Sequence, residues 1–238
     1  MKKILFSSLL ILAIACTAFA QEYNGATAEK RTIASFHGIN VGTGIELVIT
    51  AGETEEVAVS AATIEYRDKI ITKVENGILK IYYDNKLNAP NKRKEHKDLK
   101  AWVSYKTLRE LDANTGAEVE INGTLASASL KISANTGARI KGALNTSLLE
   151  VDQNTGSQLR LSGRAGDLKV EGSTGSKFEG EELVSNVCKV QVSTGAQVTI
   201  NAAKEIVVKA STGGKVNYKG EADLKDFKKS TGGTIKKI

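Results

Sequence analysis

Asp152 and Glu171 stand 19 residues apart, each three residues ahead of a Thr-Gly pair, and form the closest approach in this sequence to a catalytic constellation. If the chain coils with that period, the two carboxylates lie one above the other, placed to bind calcium or to divide acid and base roles in cutting a polysaccharide. Calcium takes six to eight oxygens, however, and the equivalent residue of the next copy is Gln191. Lys131 and Lys169 flank the pair and offset its charge. The pair therefore reads as part of a solvated face, and a polysaccharide-active enzyme is the third-ranked reading of the chain. His37 and His96 have neither a cysteine nor another histidine at ligand spacing, so neither reads as a metal ligand. Cys188 occupies a place filled elsewhere by Leu130, Leu149, Leu168 and Ile206, which makes it a small buried hydrophobe and not a reactive thiol. No catalytic residue, metal site or cofactor is expected, and the chain reads as a non-enzyme.

The residues around Asp152 belong to a repeat. Asn/Ser-Thr-Gly recurs at Thr115-Gly116, Thr136-Gly137, Thr155-Gly156, Thr174-Gly175, Thr194-Gly195, Thr212-Gly213 and Thr231-Gly232, with threonine spacings of 21, 19, 19, 20, 18 and 19. Such a period marks a stacked array. Four residues before each threonine stand Leu111, Ile132, Val151, Val170, Val190, Val208 and Phe227, and four after stand Val119, Ile140, Leu159, Phe178, Val198, Val216 and Ile235. Apolar residues two apart with polar ones between are strands with one buried face. Each unit is too short to close a core alone, so units must coil upon one another at about 4.8 Å per rung. The expected fold is all-β, a right-handed parallel β-helix with rungs of about 19 residues, the handedness taken from parallel crossovers. The Thr-Gly pairs are expected to form a structural corner ladder in which glycine supplies the positive φ of a sharp turn. The residue after each glycine is Ala, Ser or Gly, which signals a crowded site.

Residues 33–107 lack this period but carry strand-like runs, and Asn76-Gly77 between two of them signals a hairpin. The domain is expected to span 33–238, with N-terminal strands and hairpin over 33–107 and regular repeats over 108–238. Ahead of it, 21–32 reads as a flexible leader and 1–20 as a signal peptide: Lys2 and Lys3, an apolar run, then Ala18-Phe19-Ala20. The apolar run is too short to span a bilayer, and no transmembrane helix is expected. Cleavage after Ala20 leaves Cys188 as the lone cysteine, so no internal disulfide can form. A second reading makes Ala13-Ile14-Ala15-Cys16 a lipobox, with a lipid anchor at Cys16. The 238 residues carry a formal charge of +6, two units of it in Lys2 and Lys3, a mild excess that does not suggest nucleic acid. Lysines near the C-terminus discourage end-to-end pairing and argue for a monomer.

At Phe36 to Ala61, "FHGINVGTGIELVITAGETEEVAVSA", and again at "VENGILKIYYDN" and "LRELDANTGAEVEI", the chain resembles the head GIN domain family, described as putative autotransporter adhesins, with Gly38-Ile39-Asn40 as the GIN element. The likeness covers about residues 33–235. It implies an exported β-helix protein of the Bacteroidetes type, without established catalytic activity, at the cell envelope or secreted. No translocator barrel is expected after the last repeat. The function expected is a cell-envelope adhesin or ligand-binding β-helix, and the alternative is a periplasmic structural or envelope-stress module. Exposed aromatics beside a basic loop suit an acidic glycan or a matrix or envelope component. That points to a binding patch at Tyr82, Tyr83, Lys92, Arg93, Lys94, Trp102 and Tyr105.

Overall fold

The computed structural model describes residues 26–85 and 96–238. The expected signal peptide, Cys16 and the basic residues Lys92, Arg93 and Lys94 lie outside the described residues.

The corners decide the architecture. At each repeat both central residues are left-handed: the threonines have φ of 45–60° and the glycines 67–77°. That is the type I′ pattern, in which the N–H of the fourth residue bonds the C=O of the first. Ala117 N donates to Asn114 O at 3.1 Å, Ser176 N to Ser173 O at 3.1 Å and Gly233 N to Ser230 O at 2.9 Å. Glycine does take positive φ at every corner, and threonine shares it. The consequence is a second ladder. With both peptides turned, each glycine N–H donates to the threonine C=O one rung on, from Gly116 N to Thr136 O at 2.9 Å through Gly213 N to Thr231 O at 3.1 Å. The hydrogen bonding of the sheets thus continues around the corner, where a backbone turn would otherwise leave polar groups unpaired. The small residue after each glycine faces inward, and Ala117, Ala138, Ser157, Ser176 and Ala196 are all buried.

From one corner to the next the chain is extended: β9 (Glu118–Ala134), β10 (Arg139–Gln153), β11 (Gln158–Gly172), β12 (Lys177–Val192) and β13 (Gln197–Ala210) stack in parallel register. In register, Val119, Ile140, Leu159, Phe178 and Val198 lie above one another, as do Ile132, Val151, Val170, Val190 and Val208. All are 0–3% exposed and form the core of a parallel β-solenoid. Each such side chain contributes about 1.5–3 kcal/mol by leaving water. Cys188, between Leu168 and Ile206, is fully buried among them.

The uneven spacing is absorbed on one side of the coil. Between the pairs Lys141↔Glu120 and Ala143↔Thr124 one residue of β10 faces three of β9, the two extra residues of the 21-residue spacing. Between Arg160↔Glu179 and Ser162↔Glu182 one faces two, the extra residue of the 20-residue spacing. Corners keep their register, and the return bends take up the difference.

The N-terminal region contains an eighth corner. Thr43 and Gly44 have φ of 60° and 67°, and Gly44 N donates to Thr115 O at 3.0 Å. β2 (Gly38–Val41) before it pairs with β8 (Glu110–Ala113), and β3 (Glu46–Ala51) after it pairs with β9. Residues 33–107 therefore contribute one corner of the same kind, although they lack the period. Beneath this rung lies another, formed later in sequence: β6 (Ile78–Tyr83) pairs in parallel with β2, and β7 (Lys100–Tyr105) with β3. Antiparallel strands then close the end, with β5 (Ile70–Glu75) on β6 and β4 (Glu56–Ser60) on β7. The β5–β6 hairpin turns at Asn76 (φ 53°) and Gly77 (φ 75°). Among the described residues the one α-helix, α1 (Ile64–Arg67), is N-capped by Thr63, whose Oγ1 accepts from Tyr66 N. β1 (Glu29–Arg31) pairs with β4, so the expected flexible leader is structured at its C-terminal part. At the other end β14 (Lys215–Lys219) and β15 (Asp223–Lys229) lie on β13, and β16 (Thr234–Lys237) lies on β14.

Candidate functional site

The rung formed by β6 and β7 carries the aromatic residues expected to bind a ligand, and period-two alternation separates them. Tyr83 and Tyr105 point inward and are 3% and 2% exposed, so they belong to the core and not to a patch. Burial pushes the Tyr105 phenol up to about 12. Tyr82 and Trp102 point outward and are half-buried, but β6 stacks on β2 and β7 on β3, on opposite sides of the Thr43-Gly44 corner, and the two rings face different flanks. Lys73 Nζ lies 5.8 Å from the Tyr82 ring centroid, and Lys97 Nζ lies 4.1 Å from that of Tyr83. The four aromatics are thus not gathered into one surface.

One of them heads a row whose charged members, Glu120, Lys141, Arg160 and Glu179, the sequence puts in one outward column as a solvated face, but whose aromatic end it does not place. Trp102 pairs with Val48, Val48 with Glu120, and the register continues through Lys141, Arg160, Glu179, Thr199, Asn217 and Lys236. Every residue of this row faces outward on the flank that follows the corner. Beside it runs a parallel row containing Glu46, Glu118, Arg139, Gln158 and Lys177. The trough between them forms a shallow cleft of about 460 Å³ over Leu47, Val119, Ile140 and Leu159. A second hollow of about 810 Å³ continues on the far side of Lys141, Arg160 and Glu179. Opposite charges meet across neighbouring rungs: Arg139 with Glu118, Lys141 with Glu120 at 2.9 Å, and Arg160 with Glu179 at 2.6 Å, while Lys177 also reaches Glu179. These bonds hold the Glu179 carboxyl below its ordinary range, Lys177 first and Arg160 second. Exposed pairs of this kind add little stability, so their effect is to hold long side chains in an ordered, hydrogen-bonding array. The signal in the sequence was the column itself, but its aromatic head could not be placed without the out-of-order rung.

The carboxylate pair of the flank before the corner is in register, with Asp152 on Glu171. Lys131 approaches Asp152 at 3.9 Å and Lys169 holds Glu171 at 2.9 Å, which raises the Lys169 ammonium. The carboxylates border a polar hollow of about 250 Å³ with Asn135, Asn154, Ser173 and Gln191. Each carboxylate thus has its own lysine, and the two do not converge with a third acid. Among the described residues no group of three or more His, Cys, Asp and Glu side chains is placed to hold a metal ion, and no helix is long and apolar enough to cross a membrane.

Residues 35–222 match the family described as "Putative auto-transporter adhesin, head GIN domain". The chain belongs to the head GIN domain family. Among solved structures it is similar to a "putative adhesin" from Bacteroides fragilis, with 21% identity, a TM-score of 0.76, and 89% of this chain and 96% of that one covered. It is similar also to a "putative adhesin" from Parabacteroides distasonis, at 16% identity and TM-score 0.67 over 90% and 98% of the two chains. A "putative lipid binding protein" from the same organism matches at 14% identity and TM-score 0.65 over 89% and 96%. At these identities the likeness establishes the fold alone. No curated protein matches the chain. Within this head GIN fold the Gly38-Ile39-Asn40 element starts the rung that is clamped between β6 and β8. A Cβ on Gly38 would stand 2.4 Å from Ile78 Cδ1 and 3.2 Å from Glu110 Cβ, Ile39 is fully buried, and Asn40 Nδ2 donates to Asp112 Oδ2 at 3.5 Å. The element is a packing device where the chain leaves sequential order.

Proposed function

We propose that this head GIN protein is an exported, non-catalytic adhesion module of the cell envelope that binds an extended glycan or envelope polymer along the row headed by Trp102. The observation that carries the reading is the unbroken outward register from Trp102 to Lys236, with clefts on both sides. An outward, half-buried indole is the side-chain type that suits a sugar ring, and ordered carboxylate, ammonium and guanidinium groups bond successive hydroxyls of a linear chain. Regular flanks of a solenoid suit a partner that is itself extended. The signal-like first twenty residues and the family support export.

The test is a panel of immobilised glycans and matrix proteins probed with the wild-type protein, Trp102→Ala and Arg160→Glu. Saturable binding that weakens in both variants, with melting temperatures unchanged, supports the reading. A ligand bound equally well by all three proteins removes the row from the function. The lipobox-like Ala13-Ile14-Ala15-Cys16 favours a second reading, a lipid-anchored module that faces the periplasm. Protease shaving of intact cells separates the two, because the adhesin is cut while a periplasmic module survives until the outer membrane is opened.

A further inference from the structure

The two ends of the solenoid are finished differently. At the N-terminal end antiparallel strands cover the last rung, whereas among the described residues β15 pairs only with β13 and β16 only with β14. Since β16 stands on β14 and nothing among the described residues stands on β15, the end is stepped. A strand laid on β15 would lie level with β16.

Charge is concentrated at that step. Residues 209–238 hold eight lysines against Glu221, Asp223 and Asp226, a net +5, which equals the whole net charge of residues 23–238. Lys209 and Lys228 are stacked in register, and Lys229 follows Ala210 in a column where Ala113, Ala134 and Val192 are buried. Lys229 is exposed there, at a position that faces the core in every other rung. Lys225 and Lys228 have acidic neighbours, Glu205 at 3.9 Å and Asp226 at 3.3 Å, on exposed surface. Lysines on a strand edge reject most comers. A second copy of this chain presenting the same end would bring five positive charges against five.

We propose that the β15 edge accepts an extended acidic segment of a partner protein as an added parallel or antiparallel strand. The segment's backbone would pair with the open N–H and C=O groups of β15, and its carboxylates would meet Lys228 and Lys229. The lysines then act as a filter: they repel copies of the chain and admit a strand of opposite charge.

The probe is a fluorescein-labelled eight-residue peptide of alternating valine and glutamate, titrated into the full chain and followed by anisotropy. Binding is expected at low salt, weakening as ionic strength rises. The same peptide with alternate amides N-methylated keeps its charge but cannot complete the ladder, and its affinity should fall about tenfold or more. The valine–lysine counterpart should not bind, and Lys228→Glu with Lys229→Glu should reverse the preference between the two peptides. Equal binding of the N-methylated and parent peptides overturns strand addition, as does adsorption to anionic vesicles without any binding of the peptide. A dimer of the wild-type chain joined at this end, seen by sedimentation and abolished by the double variant, also overturns the proposal. None of these outcomes depends on a ligand of the Trp102 row.

Discussion

At the residue scale the corner threonines pose a physical question. A β-branched residue at positive φ is strained, and the usual type I′ turn is Asn-Gly, which this chain itself uses at Asn76-Gly77. The stacked corners hold Thr-Gly in the same conformation eight times. Thr115 Oγ1 donates to Asn114 Oδ1 at 3.1 Å, but no side-chain contact common to all eight explains the choice. The glycines separate strain from crowding. At Gly175, φ is 69° and nothing lies within 4 Å of an added Cβ, so Gly175→Ala should cost about 1–2 kcal/mol, the strain alone. Gly163 has φ 102° and its Cβ would stand 2.1 Å from Leu144 O, a backbone atom that cannot move aside, so Gly163→Ala should cost clearly more. Chemical denaturation of both variants checks the order, and a melting temperature unchanged by Gly175→Val would remove the corner from the account of stability. Cys188 supplies a pH prediction. Burial pushes its thiol from 9.0 up to about 12, and Tyr105 moves from 10.0 to about 12 for the same reason. The folded state holds both protons more tightly than the unfolded state does. Their contribution is therefore intact below pH 9 and is lost as pH rises towards about 12. Cys188→Val should flatten the fall of melting temperature across that interval, and the native thiol should not react with a thiol reagent until the protein unfolds.

At the element scale, the stack tolerates changes of length only where its own rungs already differ. Inserting two residues between Lys141 and Gly142 copies the longer bend of β9 and should shift stability by no more than about 1 kcal/mol. A single serine between Val151 and Asp152 instead slips β10 by one residue before a corner and turns its core face outward. That variant should fail to fold or should aggregate, as circular dichroism and gel filtration would report. The same distinction explains what was legible in the sequence. Seven corners, the inward columns and the burial of Cys188 were readable because they obey a period near 19 and an alternation of two. The corner at Thr43 was not, because 72 residues separate it from Thr115, Gly42 stands where Asn or Ser is usual, and Ile45 replaces the small residue after glycine. A Cβ on Gly42 would lie 2.5 Å from Asn114 Oδ1, so the side chain of the next rung fills the missing place. The row proposed to bind a polymer was legible only in part for the same reason. Strand alternation could say that neighbouring Tyr82 and Tyr83 face opposite ways, but only the out-of-order pairing of β7 with β3 puts Trp102 at the head of the charged row.

At the scale of the whole molecule, a solenoid is close to one-dimensional, with each rung held by the rungs above and below. A rung within β10, β11 or β12 has a strand partner on each side, whereas among the described residues β15 and β16 each have one. The N-terminal rung is an end as well, yet β4 and β5 give β7 and β6 second partners, and β1 in turn covers β4. Stability should therefore decline towards one end only. Opening β15 and β16 exposes Tyr218, Phe227 and Ile235, which already lie at the margin of the core and lose less apolar contact than an interior rung would. Amide hydrogen exchange is the direct readout. Protection should be highest in β10 to β12, nearly as high in β2 and β3, and lowest in β15 and β16. Uniform protection along the stack would mean that the rungs open together, and then the exposed edge of β15 would be held as firmly as the interior. The predicted gradient places the most readily opened strands beside the lysine-rich step, so an acidic strand that pairs there should raise protection in β15 first and leave β10 to β12 unchanged.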